Sequence, residues 1–360
     1  MPSLIIDLDK LEHNIQFVKS FCAANRLEWV GVVKGCESSV PVIELFQRSG
    51  VASLGIASLV TARELHRHFQ EKPMLVAMPS VQEAQTVVSY CRSSLNSELE
   101  TIQALAEAAR RAGVTHEVIL MIEVGDLREG VMPEDAVRTV RKILEPGSEH
   151  IKLSGIGANL ACCSGVLPSS ENVSLLSGLA QEIEKNLGYP MEKVSIGGSV
   201  MLDWMENNSL PPRINQLRAG EAILLGTIPS VEKKHKALLD NAFLFSGTIL
   251  EIKTKPSVPM GEVGTDAFGV KPRFENKGLR KRALVNLGAI HTAPRSLVPV
   301  PSNVQFVNSN SNYSVYDVTD CTQEFRPGDT MEFRLTYSSL IQGLLSPYVE
   351  KSYLGAREAH

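Results

Sequence analysis

The chain has 360 residues, 43% hydrophobic and 21% charged, a composition that supports a large core and two domains. Its 36 Lys and Arg against 40 Asp and Glu leave a net charge of −4, which argues against partners recognised by bulk positive charge, nucleic acid and anionic membrane alike. No apolar run reaches membrane length, the first residues are no signal peptide, and Cys22, Cys36, Cys91, Cys162, Cys163 and Cys321 lack metal-ligand spacing. Free thiols in a reducing cytoplasm, and no metal, are therefore expected.

Residues 4–7 read as a first strand that can pair with a later β domain. From about residue 8 to 228 helical and strand patterns alternate. Residues 8–24 predict a helix, 29–34 a strand, 40–48 a helix and 53–56 a strand. Residues 60–69 predict a helix, 74–77 a strand and 81–90 a helix. Ser97 and Glu100 have the spacing of a capping box for the helix striped by Leu99, Ile102, Leu105 and Ala109, which Gly113 stops. A strand over 117–123 follows, then a helix from Pro133 to about Leu144. Next come a strand over 152–157, a helix over 172–185 and a strand over 193–196. Residues 216–225 contain the last one or two strands. Roughly eight strand–helix units in about 220 residues predict a (β/α)8 TIM-like barrel over 8–230, with a doubly wound sheet as the alternative.

After residue 240 the pattern changes. Residues 243–252, 282–287, 304–307, 314–317 and 330–335 alternate or carry β-branched side chains, with Pro, Gly and Asn between them. A helix is expected only at 338–345. This reads as a C-terminal β domain over 240–360, joined through 231–240 and completed by the first strand.

Four clusters fall where predicted barrel strands end, the face on which barrels build their sites. Lys34 closes the first strand, and such a lysine can form a Schiff base with pyridoxal 5′-phosphate (PLP). Arg128 lies between Gly125 and Gly130, where it can orient a carboxylate or an aromatic oxygen. The third is Gly157-Ala158-Asn159-Leu160. The fourth joins Gly197-Gly198-Ser199 to Arg218-Ala219-Gly220-Glu221, with glycines that admit phosphate oxygens to backbone amides. Singly, each has a blander reading: a polar strand end, a surface salt bridge, a plain turn. Their placement on successive strand ends favours chemistry.

The layout resembles the alanine racemase family of PLP enzymes, closest to its branch that includes ornithine racemase. The likeness runs along nearly the whole chain. It includes the stretch from Asn215 to Gly226, Gly125-Asp126-Leu127-Arg128-Glu129-Gly130, Asp266-Ala267-Phe268-Gly269 and Ser346-Pro347-Tyr348-Val349-Glu350-Lys351. It implies a PLP barrel plus a β domain, in a homodimer with shared active sites. It implies an amino-acid racemase, with ornithine or another basic amino acid as substrate. Lys34 matches the lysine that binds the cofactor and serves as one of two proton-transfer bases. Arg128 matches the arginine near the cofactor phenolic oxygen and the substrate carboxylate. Asn159 falls where related enzymes often have a histidine against the cofactor ring. Gly197, Gly198 and Ser199 match the phosphate loop, and the amides of Gly220 and Glu221 also meet phosphate. Arg218 matches the arginine facing the pyridine nitrogen. Tyr353, or alternatively Tyr348, supplies a phosphate-binding hydroxyl.

The chain departs from that pattern at one point. Related enzymes place a tyrosine base after a Leu-Gly step in the β domain, and here the matching residues are Leu287-Gly288-Ala289-Ile290-His291. His291 has the best intrinsic pKa for the second base, with Asp266, Tyr313 and Tyr316 as alternatives. Asp266, with Glu262, is also a candidate for holding a distal ammonium group. His66, His68, His116 and His235 are expected on exposed surfaces. Two rival readings remain, a non-catalytic PLP-binding protein and a PLP decarboxylase or aldolase on the same fold.

Overall fold

The computed structural model describes residues 1–147, 149–231, 233–266 and 268–355. Glu232 of the expected junction, Ala267 of the Asp266–Gly269 motif and residues 356–360 of the expected β domain lie outside them. The chain opens with β1 (Ser3–Asp7) and α1 (Leu8–Ala24). Eight parallel strands then close into a barrel: β2 (Glu28–Val32), β3 (Ser53–Ile56), β4 (Met74–Leu75), β5 (Ser93–Asn96), β6 (His116–Met121), β7 (Ile151–Asn159), β8 (Lys193–Gly197) and β9 (Gln216–Ala219). Closure runs through β2 and β9, with Val30 opposite Arg218. Strands β2, β6 and β8 are buried along nearly their whole length, as parallel strands covered on both faces must be. Val30, Met74, Leu95, Ile119 and Met121 form one buried cluster, with Val76 and Met78 packed against it.

The helices between these strands are α2 (Val40–Arg48), α3 (Leu59–His68), α4 (Ala84–Tyr90), α5 (Leu99–Ala112), α6 (Ala136–Ile143), α7 (Ser170–Leu187), α8 (Val200–Met205) and, after the last strand, α9 (Glu221–Leu225). Helix α5 shows why they form: Ile102, Leu105, Ala106 and Ala109 make one buried stripe, and Gly113 ends it at φ 64°. The expected barrel is thus borne out, and the doubly wound sheet is not.

Three local expectations fail. Strand β5, Ser-Ser-Leu-Asn, carries no β-branched residue and was not predicted. The capping box at Ser97 does not form, because α5 starts one residue later, with Glu98 at the cap and no side-chain bond. His116 is 1% exposed and His235 4% exposed, whereas His66 and His68 are exposed as expected.

Beyond the barrel the chain forms a short pair, β10 (Thr227–Ile228) with β11 (Lys233–Lys234), and then an eight-stranded sheet. That sheet contains β12 (Phe243–Pro256), β13 (Leu279–Val285), β14 (Leu297–Pro299), β15 (Gln305–Ser309), β16 (Ser314–Asp317), β17 (Thr330–Leu335) and β18 (Glu350–Leu354), with α10 (Tyr337–Leu345) before the last strand. Strand β1 joins it, antiparallel to β12 and parallel to β18. The chain divides into two units, Glu12–Leu238 and Met1–Leu11 with Leu239–His360, and the division falls inside α1. No described helix is long and apolar enough to cross a membrane.

Candidate active site

Strand β2 ends at Val32, and Lys34 stands two residues further on, exposed, in the turn before α2. Two carboxylates feel its charge, Glu37 on the same turn and Glu221 at the start of α9. Glu37 braces the barrel mouth. Its carboxylate accepts from Ala57 N at 2.5 Å and from Thr61 Oγ1 at 2.7 Å, which ties the turn after β2 to the turn after β3.

One part of the site is a polar chain through β7, β8 and β9. Arg218, on β9, is 3% exposed. Its Nη2 donates to Ala158 O at 2.8 Å and to Asn159 Oδ1 at 3.0 Å, and its Nη1 donates to Ser195 Oγ. Ser195 Oγ donates in turn to Gln216 Oε1 at 2.6 Å, and Gln216 Nε2 donates to Glu28 Oε1 at 2.8 Å. Burial pushes the Arg218 guanidinium down to about 10, and the Glu129 carboxylate partly offsets this. It therefore stays charged at neutral pH, fixed in place by neutral acceptors.

On the other side of Arg218, Asn159 Nδ2 donates to Glu129 Oε1 at 2.7 Å, and the same carboxylate binds Arg128 through Nε and, at 2.6 Å, through Nη2. That bidentate pair raises the Arg128 pKa. Arg128 Nη1 also donates to Cys162 Sγ at 2.8 Å. The loop is braced from below. Glu123 accepts from Gly125 N at 2.5 Å and Arg128 N at 3.2 Å, while buried Asp126 accepts from the amides of Cys162, Cys163 and Ser164 at 3.0–3.2 Å. Sequence reasoning missed Glu129, Glu123 and Asp126 as organisers. The available signal was their position in Glu123–Gly130, beside Arg128 in an otherwise glycine-loosened loop.

The glycines of the β8 turn have separate reasons. A Cβ on Gly197 would stand 2.3 Å from Asn159 Oδ1 and 2.8 Å from Arg218 Nη2, so only glycine leaves room for that pair. Gly198 has φ +122°, and a Cβ there would meet Leu160 O at 2.8 Å. Its N–H donates to Arg218 O at 3.0 Å. Ser199 Oγ accepts from Ala222 N at 3.1 Å, so the β8 turn and the start of α9, after Gly220, are held together. Lys34, Arg128, Asn159, Gly197, Gly198, Ser199, Arg218, Gly220 and Glu221 all belong to one rim of one unit. Its donor set fits PLP. An exposed primary amine suits an aldehyde, a buried guanidinium suits a ring nitrogen, and a hydroxyl on a glycine turn suits a phosphate.

The remaining predicted residues belong to the sheet unit. Asp266 Oδ1 accepts from Phe268 N and Val270 N, both at 2.9 Å, so one carboxylate oxygen closes its own turn. Tyr348 is 60% exposed, and Tyr353 lies on β18 opposite Ile6. Tyr316 is fully buried between Phe306 and Phe333 as a core residue. His291 is 8% exposed, and its Nδ1 accepts from Gly288 N at 3.0 Å. Burial lowers its pKa. An amide donor on Nδ1 leaves the ring proton on Nε2, so the neutral ring offers no outward lone pair. The expectation that His291 serves as a base therefore conflicts with its hydrogen bonding. Tyr313, by contrast, is 41% exposed on the β15–β16 turn. That turn is bonded to the stretch where related enzymes carry their tyrosine, through Ala289 N to Asn310 O at 3.0 Å and Ile290 N to Ser311 O at 3.1 Å.

The family model for the alanine racemase N-terminal domain matches residues 6–227. Ornithine racemase of Acetoanaerobium sticklandii is 34% identical over 98% of this chain and 99% of its own length. Lysine racemase of Thermotoga maritima is 35% identical over 98% of each. Among solved structures, alanine racemase from Streptomyces coelicolor superposes with a TM-score of 0.74 over 99% of this chain and 98% of that one, at 17% identity, a likeness of fold.

Proposed function

The chain belongs to the alanine racemase family, and we propose that it is a PLP-dependent racemase of basic amino acids. One observation carries the chemical part. The exposed Lys34 amine and the Arg128–Glu129–Asn159–Arg218 chain share one rim of one barrel. Its kinship with two racemases of basic amino acids along nearly the whole chain supports the substrate class.

PLP, when bound, supplies an electron sink that makes the substrate Cα–H acidic. The protein does the rest. Lys34 Nζ would hold the cofactor aldehyde and, as a free amine, would move a proton to or from one face of the substrate Cα. Arg128, aimed by Glu129, orients the substrate carboxylate. Arg218 stays protonated and would keep a ring nitrogen placed against it unprotonated, which would moderate the sink and limit competing reactions. Ser199 and the amides of the β8 turn and of Gly220 and Glu221, with Tyr353 or Tyr348, hold the phosphate. The opposite face of Cα needs a second base, and Tyr313 takes that role because it is the exposed phenol on the turn that backs Ala289. A cytoplasmic homodimer with shared active sites completes this reading.

Incubation of the PLP-loaded protein with a panel of L-amino acids, followed by chiral chromatography, tests it. D-Ornithine or D-lysine should accumulate to an equal mixture. Carbon dioxide or aldehyde release without inversion would assign a decarboxylase or aldolase instead.

A further inference from the structure

A racemase of basic amino acids needs an anion for the distal ammonium. The carboxylates of the barrel mouth can be sorted by what they already bind. Glu37 is held by Ala57 N and Thr61 Oγ1. Glu123 is held by two amides of its own loop. Asp126 is held by three amides of the loop after β7. Glu129 is held by Arg128 and Asn159. Each is spent on shaping the site.

Glu221 differs. It is half-buried at the first position of α9, and among the described residues its carboxylate has no hydrogen-bond partner. Burial disfavours its charge, and Lys34 is the one cation whose field offsets this. That partner is not permanent, because Lys34 must be a neutral amine when it acts as the base on the substrate Cα–H. A half-buried carboxylate that loses its counter-charge during turnover is costly unless the substrate brings one. The Ser199 Oγ bond to Ala222 N fixes the start of α9, so the carboxylate sits on a rigid mount.

We propose that Glu221 determines specificity by receiving the distal ammonium of the basic amino acid. The inference rests on the racemase reading above and assigns its substrate-selecting residue. Asp266, the other candidate, has one carboxylate oxygen engaged in its own turn.

The test compares ligands that differ only in the distal ammonium. δ-Aminovalerate and valerate both lack an α-amino group, so neither can be racemised, and an unchanged visible spectrum of the lysine-bound cofactor checks that the δ-amine has not displaced Lys34. Calorimetry should show the wild type preferring δ-aminovalerate by about 10-fold or more, a charge-assisted contact. Glu221→Gln should remove that preference while leaving valerate affinity within about 2-fold. In turnover, kcat/KM for ornithine should fall by about 10–100-fold more than that for norvaline in Glu221→Gln. A preference that survives the substitution overturns the inference. So does an equal fall for ornithine and norvaline, which would make Glu221 a partner of Lys34 alone. If Glu221→Gln fails to load PLP, judged by the visible spectrum of the lysine-bound cofactor, Glu221→Asp must still weaken the δ-aminovalerate preference. Wild-type protein inactive on ornithine and lysine fails the racemase reading itself. Wild-type ornithine activity that Glu221→Gln retains in full fails this inference alone.

Discussion

Asn159 shows how one residue can connect two charges without bearing one. It offers its oxygen to Arg218 and its amide to Glu129, so two arginines of the rim are linked through a neutral side chain and one carboxylate. That packing needs Gly197. Gly197→Ala should push a methyl group into Asn159 and Arg218, costing about 1–3 kcal/mol as an overpacked site and weakening PLP retention together with stability. Thermal unfolding and spectroscopic titration of PLP measure the two effects, and a fully stable variant would show that the pair can move aside. Gly198→Val should behave similarly, because its left-handed φ and the Leu160 carbonyl both oppose a side chain there. Phosphate binding is therefore better tested at Ser199 than at Gly198. In the proposed reading, Lys34 is the residue that holds the cofactor. Borohydride reduction of PLP-loaded protein followed by peptide mass mapping should place the pyridoxyl label on Lys34, and a label on another lysine would remove it from that role.

At the scale of elements, β5 and β6 carry an internal polar cluster that the site does not use. Asn96 Nδ2 donates to Ser94 Oγ at 2.9 Å, and Ser94 meets His116 Nε2 at 2.8 Å. All three side chains are buried. By strand alternation, Ser94 and Asn96 lie on the face opposite Leu95, which points into the barrel cluster, so they face the helical layer. Burial pushes the His116 pKa down from 6.5 to about 4, so the fold holds the neutral ring while the unfolded chain takes up a proton near 6.5. The contribution is fully present above that value and is lost as the pH falls toward about 4, a change of roughly 3 kcal/mol. Urea midpoints between pH 7 and 4.5 should fall more steeply for the wild type than for His116→Gln. Equal slopes would assign the acid sensitivity elsewhere. This cluster also marks where the sequence ran out. Helices α1 and α2 and strands β3, β16 and β17 were legible to the residue, since each has clean periodicity and marked ends. Strand β5 was not, because Ser-Ser-Leu-Asn owes its extended form to barrel neighbours rather than to its own propensity. The burial of His116 and His235 was hidden for the same reason: histidine is polar by composition, and only tertiary contacts decide that it is enclosed. On the rim, residue types at strand ends made the arginines, the lysine and the glycines legible. The carboxylates that aim them were not, because a hydrogen-bond partner far along the chain leaves no periodic trace.

At the scale of the molecule, the proposed chemistry needs two bases, and the candidates for the second, all in the sheet unit, differ sharply in form. Racemisation needs proton traffic on both faces of Cα, and in the proposed reading Lys34 serves one of them. His291 is tied by Gly288 N–H in the tautomer that cannot accept a proton outward, and Tyr316 is sealed in the core. Tyr313 is exposed, and Asn310 fixes its backbone, accepting from Tyr313 N at 2.8 Å. Tyr313→Phe should therefore slow racemisation by roughly 10²–10⁴-fold, the usual cost of a lost acid–base group. Exchange of the Cα hydrogen with deuterated solvent should persist for the enantiomer that Lys34 serves. His291→Gln should behave differently. Its amide oxygen can still accept from Gly288, so kcat should stay within about 3-fold and any loss should appear in stability. Deuterium exchange followed by mass spectrometry for each enantiomer separates the cases. One-sided exchange in Tyr313→Phe assigns the base to Tyr313, whereas one-sided exchange in His291→Gln would return it to the histidine and require the Gly288 bond to open during turnover.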